Sequence, residues 1–62
     1  MYALYHIDPV TKRTMYSEYF HAHDDVEAIA LVRRRDQDQV REIWHDGRQV
    51  ARMEAIPDAP SE

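Results

Sequence analysis

The chain holds one glycine, Gly47, and it follows Asp46 between the runs VREIW and RQVARM. This dipeptide is the strongest constraint on the fold. A two-residue type I′ turn needs positive φ at both central positions, which glycine adopts freely and aspartate tolerates. VREIW and RQVARMEAI are therefore expected to pair as a hairpin. Ile43 should then lie opposite Val50, and Trp44 should share a face with Val40, Ala51 and Met53. A second hairpin is expected near the other end. MYALYHI and TMYSEYFHA are rich in aromatic and branched residues, as strands are. DPVTKR joins them, and Asp8 and Pro9 suit the first two positions of a type I turn.

The segment from Asp24 to about Arg35 predicts a helix. Asp24 fits an N-cap, and Glu27 three residues on completes a pattern like a capping box. Asp25 adds negative charge at the positive end of the dipole, with Arg33, Arg34 and Arg35 at the other end. Val26, Ile29, Ala30 and Arg33 form a stripe with Val32 on its flank. At about 18 Å, such a helix must be held by packing. The order is ββαββ, an α+β two-layer sandwich with a four-stranded, mostly antiparallel sheet and one helix on one face. Strand order 2-1-3-4 makes every neighbour antiparallel, and parallel contact between strands 1 and 4 is the alternative. Residues 1–56 are expected to form one domain and 57–62, with two prolines, a frayed tail.

Alternation along strands yields a conclusion that does not need the register. Tyr2 and Tyr5 are an odd number apart and fall on opposite faces. Tyr16 and Tyr19 do too, and so do Ile43 and Trp44. A lone helix covers one face, so the other must present large rings. The expected helix-facing core is Leu4, Phe20, Val26, Ile29, Val32, Ile43 and Val50. The expected interaction face holds Trp44, Met53, Tyr5 and Tyr19, and the opposite assignment of faces remains open. Tyrosines on a wet sheet face also occur without a partner, because the ring packs while the hydroxyl stays hydrated.

A chain of 62 residues buries only about 60% of its unfolded surface, so its stability is expected to be marginal unless a well-packed core suffices or a disulfide, a metal or a second subunit reinforces it. With no cysteine, disulfides and thiolate metal sites are excluded, and a reducing cytoplasm fits. Neither a signal peptide nor a membrane span is evident, since the longest apolar run is AIALV. The net charge of −4 disfavours nucleic acid and anionic lipid.

Three constellations bear on chemistry. His21 and His23 are two apart and share a face of a strand, and His6 can come from the neighbouring strand, with Asp24 or Asp25 adding an oxygen. The aspartates already serve the helix start, so capping is the expected role and no metal or other cofactor is assigned. Arg33, Arg34, Arg35, Arg41, Arg48 and Arg52 surround Trp44, a mixture that can bind single strands. Asp36, Asp38, Glu42 and Asp46 interleave with them, which favours a solvated mixed-charge surface. His6, His45 or a tyrosine with Glu18 offers acid–base groups, but no nucleophile motif accompanies them. His45, beside the turn, is expected to be exposed, and no catalytic residue is assigned.

EYFHAHDDVEAIALVRRR followed by VREIWHDGRQVARME resembles a family of short bacterial proteins, common in alphaproteobacteria. They run hairpin, acidic-start helix and Asp-Gly-Arg hairpin. The likeness extends to Ile56 and rests on structural motifs. It implies ββαββ and a bacterial cytoplasmic origin, and carries no functional residues. Residues 16 to 32 also resemble HicB-type antitoxins, although the glycine-rich strand region and added DNA-binding segment of those proteins have no counterpart here. The resulting expectation is a non-enzymatic domain that pairs with itself, as a dimer, or with another protein through the open sheet face. An antitoxin-like or nucleic-acid-binding accessory role is the first alternative, and a His/Asp metal site around His6, His21 and His23 is the second.

Overall fold

Asp46 and Gly47 have φ of 52° and 76°, and His45 pairs with Arg48 across them. The type I′ turn forms because these two residues tolerate the left-handed region. The structure, a computed structural model, describes residues 1–56, and the expected tail, 57–62, lies outside the described residues. The elements are β1 (Tyr2–Ile7), β2 (Thr14–Phe20), α1 (Asp25–Arg33), β3 (Val40–His45) and β4 (Arg48–Met53). They make one antiparallel sheet in the order β2-β1-β3-β4 with a single helix, a small ββαββ α+β fold.

The first turn is tied by Asp8, whose carboxylate accepts from the backbone N–H of Val10 at 2.8 Å and Thr11 at 3.0 Å. Those donors, Thr11 first, hold its carboxyl below the usual range. Lys12 takes a φ of 65°, and its N–H donates to the Asp8 carbonyl.

Each hairpin contains a bulge. In β2, His6 faces Tyr16 and Ile7 faces Thr14, leaving Met15 as the extra residue. In β4, Trp44 faces Gln49 and Ile43 faces Ala51, leaving Val50 as the extra residue. This corrects the expected pairing of Ile43 with Val50. A bulge sets two residues against one and reverses parity beyond it. Ala51 and Met53 therefore pack against the core with Val50, on the side away from Trp44.

The helix begins as the sequence predicts. Asp24 accepts from the Glu27 N–H at 2.8 Å, and the Glu27 carboxylate accepts from the His23 N–H at 2.7 Å. Its buried stripe differs from the expected one. Ala28 and Val32 are sealed, Ile29 is partly buried, and Val26 is 76% exposed. The stripe is Asp25, Ala28, Ile29 and Val32, an i, i+3, i+4, i+7 set whose first member is a carboxylate. Asp25 faces the sheet because it accepts from the Tyr2 hydroxyl at 2.8 Å and from Arg48 at 3.0 Å. These donors hold its carboxyl below the usual range, Tyr2 foremost, and the same bond raises Tyr2. The core is Tyr2, Leu4, Ala28, Val32 and Ile43, with Phe20, Ile29, Ala51 and Met53 packed around it.

At the other end of α1, the Arg41 guanidinium closes the helix. It donates from one nitrogen to the carbonyls of Val32 at 3.2 Å, Arg33 at 3.0 Å and Arg35 at 2.7 Å, and from Nε to Gln39 at 3.2 Å. The last carbonyls of a helix lack internal partners, and a buried cation satisfies several at once. Burial pushes the Arg41 guanidinium down from its usual value.

Candidate functional site

The sheet has a covered and an uncovered side. In β1 the residues Tyr2, Leu4 and His6 are buried, while Ala3, Tyr5 and Ile7 between them are half-buried on the other side. Cross-strand pairing carries this through the sheet. Ala3 lies between Tyr19 and Trp44, and Tyr5 lies between Ser17 and Glu42. Tyr2 and Tyr5, Tyr16 and Tyr19, and Ile43 and Trp44 are all split between faces as alternation requires. Among the described residues no second element lies over the Trp44 side.

On this side Tyr5, Thr14, Glu42 and Trp44 line an open depression of about 290 Å³. Trp44 Nε1 donates to Glu42 Oε1 at 3.1 Å, and Arg52 donates to Glu42 Oε2 at 3.0 Å and to Glu54 at 2.6 Å. Glu54 is held below its usual range by Arg52, and Arg52 is raised in return. The face thus combines two rings, a carboxylate and a guanidinium, with Tyr19 70% exposed beyond them. Of the four expected face residues, Tyr5, Tyr19 and Trp44 lie here. Met53 does not, because the Val50 bulge turns it to the helix side.

A second cluster lies beside the segment that follows α1. His6 is fully buried, opposite Arg41 on β3 and Tyr16 on β2. Its Nε2–H donates to Glu18 Oε2 at 2.8 Å, and its Nδ1 is 3.0 Å from the Gln39 side-chain amide and 3.5 Å from Asp36 Oδ2. The Gln39 atom at that distance is Oε1, an acceptor. The Tyr16 ring stacks on the imidazole at 4.0 Å. Glu18 also accepts two bonds from Arg35 at 3.1 Å. His6 foremost, then Arg35, holds the Glu18 carboxyl below its usual range. The cluster joins β1, β2 and the segment after the helix, and its hydrogen bonds are internal.

The structure does not bring the candidate metal residues together. Phe20 pairs with Tyr2, so His21 and His23 follow at the Tyr2 end of β1, while His6 is four residues along that strand, about 13 Å at strand spacing. Asp24 and Asp25 are engaged by Glu27, Tyr2 and Arg48. Among the described residues no group of three or more His, Asp or Glu side chains is placed to hold a metal. His45 is not free either: its ring stacks on Tyr2 at 4.3 Å. The arginines are dispersed. Arg41 is buried, and Arg35, Arg48 and Arg52 form ion pairs.

The buried roles of His6 and Arg41 had a signal in the sequence. Leu4 and Ile43 were expected in the core, and His6 and Arg41 sit two residues from them on the same strands, hence on the same face. Compared with known proteins, the chain matches no family model, no curated protein and no solved structure. No helix among the described residues is long and apolar enough to cross a membrane.

Proposed function

We propose that this is a non-enzymatic cytoplasmic domain that self-associates, with the Trp44 face of its sheet meeting the same face of a second copy. The observation that carries the reading is the set of rings, Tyr5, Tyr19 and Trp44, on a side that α1 does not cover. Two further points favour a second copy as the occupant. A chain this short gains from an added apolar layer where no disulfide is available. Glu42 and Arg52 set both signs of charge side by side, so a two-fold operation can place each against its opposite in the other copy.

Light scattering from low micromolar to high micromolar concentration tests this. The expected result is a mass rising above one chain, with Trp44→Ala keeping its fold and reaching a lower mass than the parent at the same concentration. A mass of one chain throughout would refute self-association.

A further inference from the structure

The two edges of the sheet differ in a way that points to a second contact. Edge strands invite pairing with other chains, and folds usually blunt them with charge, proline, bulges or a covering element. The β4 edge is blunted. It carries Arg48 and Arg52, its bulge falls mid-strand at Val50, and Arg48 ties it to the helix through Asp25. The β2 edge has little of this. Its sequence, TMYSEYF, has no proline, glycine or cation and is the longest strand of the sheet. Its one charge, Glu18, is turned inward to His6 and neutralised by Arg35. Its bulge lies near the start, at Met15, so Tyr16 to Phe20 keep an unbroken register with β1. Met15, Tyr16 and Tyr19 leave large exposed surfaces along it.

We infer that the outer edge of β2 pairs antiparallel with β2 of a second copy, extending the sheet from four strands to eight. The contact goes beyond the face contact proposed above and stands on different residues. An antiparallel strand edge is complementary to itself, because each N–H meets a C=O about a two-fold axis. Two β2 edges meet with their only carboxylates already neutralised, so the whole-chain charge of −4 is not focused there. The axis falls at Ser17. Placed at Glu18 instead, it would set two carboxylates directly opposite, which is unfavourable. With the axis at Ser17, Met15 meets Tyr19 and Tyr16 meets Glu18 across the seam. The edge axis is perpendicular to the sheet and the face axis lies parallel to it, so one tetramer can hold both contacts.

Because the chain has no cysteine, Ser17→Cys supplies the sole thiol. Ser17 is exposed, so the variant should fold, and circular dichroism checks that it does. Edge pairing brings the two Cα atoms within disulfide reach, whereas stacked faces about 10 Å apart exceed the ~7 Å limit. Under mild oxidation Ser17→Cys is expected to form a disulfide dimer about tenfold faster than Gln49→Cys, a control on the other edge. The rate should persist when Trp44→Ala is added. A rate no greater than that of Gln49→Cys, or one lost with Trp44→Ala, would overturn the edge contact. A retained crosslink in a protein whose Trp44 face stays monomeric would remove only the face contact, so the two failures are distinguishable.

Discussion

Ile43 and Trp44 are adjacent in sequence and separated by the sheet: Ile43 is sealed at 0% exposure under the helix, and Trp44 lines the depression on the bare side. Replacing the first should harm the fold and replacing the second the assembly. Ile43→Ala is expected to cost about 2–5 kcal/mol, a large part of a small domain's stability. Trp44→Ala should leave the stability of the monomer within about 1 kcal/mol of the parent while abolishing the face contact. Urea titration and light scattering on both variants separate the two effects.

Helix phase can be tested in the same way. Val26→Ala removes methyl groups that face water and should change stability by no more than about 0.5 kcal/mol. Val32→Ala opens space beside Leu4 and Ile43 and should cost about 2 kcal/mol or more. Equal effects would mean that the buried stripe is not the one centred on Ala28 and Val32.

Arg41 terminates the helix from β3, with five backbone carbonyls on its fork. Arg41→Met keeps much of the bulk and leaves those buried acceptors unserved, each costing about 1–3 kcal/mol where water cannot reach. Arg41→Lys restores the charge but not the fork and should recover only part of the loss. Thermal melts of the three proteins provide the comparison. Equal melting temperatures for Lys and Arg would show that charge alone suffices.

Acid should unfold the domain through its carboxylates. Glu18, Asp25 and Asp8 are all held below their usual range when folded, by His6, by Tyr2 and by backbone N–H groups respectively. A depressed folded pKa means that the unfolded chain binds protons first, at about pH 4. The stabilisation is therefore complete above that range and is lost as pH falls through the lower, folded values. The urea midpoint is expected to be flat from pH 7 to 5 and to drop below about 4. Glu18→Gln should reduce the size of that drop, and a midpoint falling equally in both proteins would remove Glu18 from the explanation.

Much of the fold was legible because its determinants are short-range. Asp46-Gly47 specifies its turn locally, Asp24 and Glu27 specify the helix start, and alternation separates Tyr2 from Tyr5 in any register. Errors entered where a distant partner decides. Asp25 counts as polar in a stripe of apolar residues, yet Tyr2 and Arg48 bring it to the sheet and rotate the helix away from the Val26 phase. Nothing local marks Val50 as a bulge, so Met53 was expected beside Trp44 and lies on the far side. His45 was expected in solvent because it adjoins the turn, and Tyr2 from the neighbouring strand β1 stacks on it.

The chain has one tryptophan, and it stands at the centre of the proposed contact, so Trp44 emission reads that contact directly. On dilution through the association range, its maximum should move to the red and its anisotropy should fall while far-ultraviolet circular dichroism stays constant. An emission maximum unchanged across the whole dilution series would contradict a contact made by this face.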